Sequence, residues 1–141
     1  TLRRDARFSD GTPLTAHDVE YTWTLLNNPL VNAPETRNFF DNVETHKAID
    51  DYTVRFTFRE PHYMAFSMVA GFQVLPKHFY TEISVDDLNR QPGLLLGSGP
   101  YRLEDPKGWA PGKPMKLIRN ENYWGPRPGP AALQWLEIEN D

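Results

Sequence analysis

The sequence predicts an α+β protein, and three observations carry that prediction. A capped helix start is written at Thr15, with Asp18 three residues later. Residues 53–58 alternate polar and apolar side chains at the period of a half-buried strand. Thirteen prolines and nine glycines point to many turns between the elements.

Taken in order, Asp10-Gly11 is a tight-turn pair, and Pro13 stops the chain from running on as a strand. Thr15 then caps a helix, Asp18 reaches back to the Thr15 amide, and Leu14 with Val19 is placed as a hydrophobic staple. Ala16, Val19, Trp23 and Leu26 share one face, and Asn27-Asn28-Pro29 ends the helix. Residues 27–42 read as a polar connection with Phe39 and Phe40 turned into the core. Residues 43–49 form a strand of weak alternation, followed by a turn at Asp50-Asp51. In the next strand Thr53, Arg55 and Thr57 face water while Val54, Phe56 and Phe58 face inward, so the two strands are expected to pair as an antiparallel hairpin.

Pro61 stops the hairpin and suits the first turn of a short helix in which Tyr63, Phe66 and Val69 share an apolar face, closed by Gly71. Residues 72–75 are a short buried run before Pro76, and Ser84 with Asp87 repeats the capping box for a small helix through Asn89. Gly97-Ser98-Gly99-Pro100-Tyr101 sets two glycines, with their freedom for unusual dihedrals, ahead of a fixed proline. Residues 101–103, 115–118 and 133–138 read as strands, the first two joined by a loop around 105–113 in which Trp109 is the expected exposed aromatic. Internal repeats and low-complexity tracts are absent, and the one plausible boundary lies near residues 92–97.

Composition narrows function. A chain of 141 residues can bury about two-thirds of its extended surface, enough for one domain with a real core. Net charge is −4 with no basic block, which argues against a nucleic-acid partner. Cysteine is absent, so disulfides and thiolate metal sites are excluded, and no apolar run approaches the roughly eighteen residues of a membrane span. Histidines at 17, 46, 62 and 78 never fall four apart, so no local helical pair can chelate a metal. Serines at 9, 67, 84 and 98 lack the G-x-S-x-G elbow. The carboxylate pairs Asp50-Asp51, Asp86-Asp87 and Glu104-Asp105 are adjacent in the chain, point apart, and cannot flank one substrate bond. Gly97-x-Gly99 lacks the further glycine, lysine or helix of a phosphate loop. Turns, caps and aromatic packing absorb the informative residues. The expectation is a non-catalytic binding scaffold with no catalytic residue, no metal and no cofactor.

Phe8 to Val19 also has an order, F-x-D-G-T-P-L-T-A-x-D-V, followed by Tyr21 and Trp23, that resembles the signature of the family 5 extracellular solute-binding proteins. These are the oligopeptide, dipeptide and nickel receptors of ABC importers. IDDYTVRFTFREP, VLPKHFY, GSGPY and RNENYWG are similar to further segments of that family in the same order, so the resemblance covers nearly the whole chain. It implies a fragment of a periplasmic-binding-protein type II fold, with residues 1–94 a small subdomain of the first lobe and 95–141 strands returning to the main part of that lobe. The opening Thr1-Leu2-Arg3-Arg4, without Met, resembles the end of the strand before the family's turn, which leads us to expect a piece of a longer protein.

The same resemblance implies capture of a peptide or related small solute between two lobes that close by a hinge, and delivery to a membrane permease. The expected location is the periplasm or the outer membrane face, through a permease or a lipid anchor outside this segment, with the protein a monomer. Two loops correspond to positions near the cleft, 34–38 and 71–74. Arg37 is the candidate for bidentate pairing with a ligand carboxylate and Phe72 for covering an apolar side chain, with Glu35 and Gln73 beside them. The competing readings are a surface salt bridge for Arg37 and core packing for Phe72. The rival functions are a hydrolase acting on peptides or glycans and a stand-alone interaction module.

Overall fold

The structure is a computed structural model and describes residues 1–91 and 93–135. The chain forms two compact units, one from Thr1–Arg4 with Thr15–Thr81 and the other from Asp5–Leu14 with the chain from Glu82 onward. Mixed helix and sheet is present in both, as the sequence predicts.

In the first unit α1 spans Ala16–Asn27 and begins with the expected capping box, the Thr15 N–H donating to Asp18 Oδ2 at 2.9 Å. Its Ala16, Val19 and Trp23 are buried. After α2 (Pro34–Phe39), β1 (Val43–Asp50) and β2 (Thr53–Phe58) pair antiparallel, with His46 opposite Phe56 and Ala48 opposite Val54. Register shifts on either side of residues 45–48 explain the weak alternation of the first strand: each irregularity resets which face a side chain occupies. Val19, Trp23, Phe40 and Met68, the last from α3 (Ala65–Ala70), make the core, with Val54, Phe56, Phe58 and Phe72 packed against it. Trp23 is its centre, its ring 4.4 Å from Phe40, 5.2 Å from Phe56 and 5.4 Å from Phe72. The short α4 (Lys77–Tyr80) completes the unit.

In the second unit α5 (Val85–Arg90) carries the predicted Ser84 cap, which accepts from the Asp87 N–H at 3.1 Å. β3 (Tyr101–Leu103), β4 (Met115–Arg119) and β5 (Ala132–Trp135) form an antiparallel sheet in that order. Asn120, only 1% exposed, and Asn122 together join three segments of this unit. Asn120 Nδ2 donates to Gly99 O at 2.8 Å and its Oδ1 accepts from the Asn122 N–H at 3.0 Å. Asn122 Nδ2 in turn donates to Ser9 O at 3.0 Å, while the Ser9 N–H donates to Gly97 O at 2.9 Å. The two asparagines of RNENYWG are therefore a polar clasp between the 97–101 segment and the 8–12 turn. Gly11 sits in that turn at φ 90°, a conformation that glycine adopts without steric cost.

Several details differ from the sequence reading. Residues 27–42 are not all loop: Pro34 opens a helix at its first position, where a missing N–H costs nothing. Phe40 is buried as expected, and the Phe39 side chain lies outside the described residues. The helix after Pro61 starts later, at Ala65, and turns Met68 inward, leaving Tyr63 and Phe66 92% and 80% exposed. Positive φ among the described glycines occurs at Gly11 and Gly112, not at Gly97 or Gly99. Trp109 is half-buried, its indole N–H donating to Lys113 O at 3.0 Å. The predicted third strand is described as far as Trp135, and its residues 136–138 lie outside the described residues.

The two units divide in sequence after Thr81, and Asp5–Leu14 belongs to the second unit. The physical reason is the clasp above, together with the Arg7 to Pro13 bridge and the Leu14 N–H to Ala6 O bond, which close the turn on itself. Pro92 itself lies outside the described residues.

Candidate functional site

Within the first unit, α2 and residues 71–75 form the two walls of an open groove of about 570 Å³. Gly71 ends α3 where a Cβ would come within 2.8 Å of Ser67 O, so a glycine permits the tight exit from that helix. The chain then runs past α1 and is pinned to it by two buried side chains. Thr22 Oγ1 accepts from the Leu75 N–H at 2.9 Å, and Asp18 Oδ1 accepts from the Lys77 N–H at 2.9 Å. Asp18 thus serves both the helix cap and the strap beyond Phe72. The sequence offered only the cap, because its second partner lies 59 residues away.

Leu26, Phe40, Phe72 and Leu75 give the groove its apolar lining, while Glu35, Thr36 and Gln73 give it polar groups. Phe72 is half-buried and meets Trp23 edge-on with an interplanar angle of 86°, so it is both core edge and groove wall. Three of the four candidate residues, Glu35, Phe72 and Gln73, therefore line one groove.

Arg37 is placed differently. Its Nη1 donates to Val31 O at 2.6 Å, Asn28 O at 3.2 Å and Leu26 O at 3.4 Å. These carbonyls belong to the end of α1 and the turn after it, where the helix leaves acceptors unsatisfied and its dipole is negative. One nitrogen of the guanidinium is thus committed to the backbone at the end of α1.

His46 was not singled out by sequence, yet it lies on the core side of the hairpin. Its ring stacks on Trp23 at 5.7 Å, and its Nε2 is 3.3 Å from Thr24 Oγ1. Burial lowers its pKa below the usual 6.5, with the Glu20 carboxylate opposing more weakly. The second unit has its own depression, lined by Trp109, Met115, Leu117 and Trp135. Among the described residues, no three His, Asp or Glu side chains gather to hold a metal ion, and no helix is long and apolar enough to cross a membrane.

The family model for bacterial extracellular solute-binding proteins, family 5, matches residues 1–141. The chain belongs to this family. Protein XP55 of Streptomyces lividans is 35% identical over 143 residues, covering all of this chain and 25% of that protein. The periplasmic oligopeptide-binding protein OppA of Salmonella typhimurium is 30% identical over 139 residues, 87% of this chain and 25% of OppA. Among solved structures, a putative peptide binding protein AppA from Clostridium difficile superposes with a TM-score of 0.80 at 25% identity, over 99% of this chain and 29% of AppA. The fold is thus part of a periplasmic-binding-protein fold. The chain spans about a quarter of the length of the curated relatives it matches.

Proposed function

We propose that this chain contributes one wall of the ligand site in a solute receptor of an ABC importer. The receptor captures a peptide or related small solute without chemistry and hands it to a membrane permease. The observation that carries the reading is the groove itself: the two segments expected near a family 5 cleft, 34–38 and 71–74, stand on either side of one apolar depression edged by Glu35 and Gln73. Such a lining, mostly apolar with a few polar groups, suits side chains of varied shape. Phe72 packs an apolar side chain, and Gln73 and Thr36 meet polar atoms. Arg37 holds the α1 end against α2 and so acts on the wall from behind.

The names of the relatives support the peptide class, since one is an oligopeptide-binding protein and another a putative peptide binding protein. We place the protein in the periplasm or at the outer membrane face, as a monomer, in keeping with that class. The test is titration calorimetry of the protein expressed from its complete reading frame against a mixed peptide library, with mass spectrometry of the peptides afterwards. Saturable binding with peptides recovered intact is the expected result. Cleaved peptides, or no binding to any member, overturns the proposal.

A further inference from the structure

The electrostatics of the groove narrow what enters it, on the reading of the groove as a ligand wall. Among the described lining residues Glu35 is the one charged side chain. Arg37, two residues on and the obvious counter-charge, is directed instead to three backbone carbonyls, the nearest at 2.6 Å. Helix α2 therefore presents an exposed carboxylate to the groove and keeps its cation behind it.

We infer that the groove selects peptides that carry an apolar and a cationic side chain on one face, the apolar side chain on Phe72 and Leu75 and the ammonium or guanidinium on Glu35. Charge complementarity sets the sign. An acidic side chain there meets the like charge of Glu35, and like-charge juxtaposition is the usual means by which a surface rejects wrong partners. A neutral amide falls between, since Gln73 and Thr36 accept or donate hydrogen bonds whatever the charge. Because the groove is open, the ion pair is partly screened, and a preference of about fivefold for a basic over a neutral residue is the scale to expect. The preference weakens as salt is added.

The experiment uses the protein from its complete reading frame and three pentapeptides that differ at one position, Ala-Leu-Ala-Lys-Ala, Ala-Leu-Ala-Gln-Ala and Ala-Leu-Ala-Glu-Ala, titrated by calorimetry at low and at high salt. The expected order of affinity is Lys over Gln over Glu, with the Lys preference about fivefold and reduced at high salt. Glu35→Gln is expected to level the Lys and Gln peptides, and Glu35→Lys to favour the Glu peptide. Glu35 is exposed, with no role in the core, so both variants are expected to keep the wild-type melting temperature. Equal binding of the three peptides by all proteins overturns the charge inference and leaves the receptor proposal standing. Lack of binding by every peptide and every library member overturns both.

Discussion

Thr22→Val keeps the branched shape of the side chain and exchanges its hydroxyl for a methyl, so it tests the pin that holds the groove wall. Thr22 is fully buried, with Oγ1 donating to Asp18 O at 2.7 Å and accepting from the Leu75 N–H at 2.9 Å. The first bond goes to a carbonyl within the same helix, and its loss costs little. The second leaves a partly buried amide without its acceptor, which costs about 1–3 kcal/mol. The added methyl returns up to about 0.8 kcal/mol of apolar burial. The net is a loss of about 1–2 kcal/mol, or roughly five- to thirtyfold in the folding equilibrium. Urea denaturation measures the total, and hydrogen exchange at the Leu75 amide reads the local effect. Thr22→Ser, which keeps the hydroxyl, is expected to retain slow exchange at Leu75 while losing some packing energy. Because residues 72 and 73 hang from this pin, Thr22→Val is also expected to weaken ligand binding. A variant within about 0.3 kcal/mol of wild type, with Leu75 still protected, refutes the argument that this hydroxyl fixes the wall.

Arg37→Ala is expected to destabilise by about 1.5 kcal/mol in urea denaturation, because three carbonyls lose a charged donor, and to leave the charge preference among the three pentapeptides unchanged. A lost or inverted preference would return Arg37 to the ligand. Asn120→Ala removes both the bond to Gly99 O and the acceptor for the Asn122 N–H, and a loss of about 2–3 kcal/mol is expected; differential scanning calorimetry that finds it neutral rules out the clasp as the tie of the 8–12 turn. Burial lowers the His46 pKa, so the unfolded chain takes up a proton near pH 6.5 that the folded chain resists. The stability from neutral His46 is complete above that pH and is lost as pH falls through 6.5 toward the folded value. Urea midpoints at about pH 7.5 and about pH 5 should differ more for wild type than for His46→Gln, and equal differences would assign the slope to other groups.

Local chemistry was legible in the sequence wherever cause and effect lie within a few residues. The Thr15–Asp18 box, the Ser84 cap, the Asp10-Gly11 turn and the alternation of Thr53–Phe58 depend on neighbours in the chain, and each is present. The long motif from Phe8 to Val19 was enough to place the chain in its family, because its order reflects a whole turn-and-helix unit rather than one residue. What could not be read were the long-range choices. Met68 rather than Phe66 faces the core, where it packs with Val19, Trp23 and Phe40 from other parts of the chain.

Tertiary structure alone decided the fate of the polar residues. Asp18 and Thr22 receive amides from residues 77 and 75, and Asn122 reaches Ser9 across 113 positions, partners that no spacing rule can indicate. The same holds for Arg37, whose Nη1 donates to carbonyls at and beyond the end of α1 that lie 6, 9 and 11 positions away. Hydrogen-bonding groups are satisfied by whichever partner the packed chain brings within about 3 Å, so composition and order determined the elements and kinship, while packing determined which side chains remained free to meet a ligand.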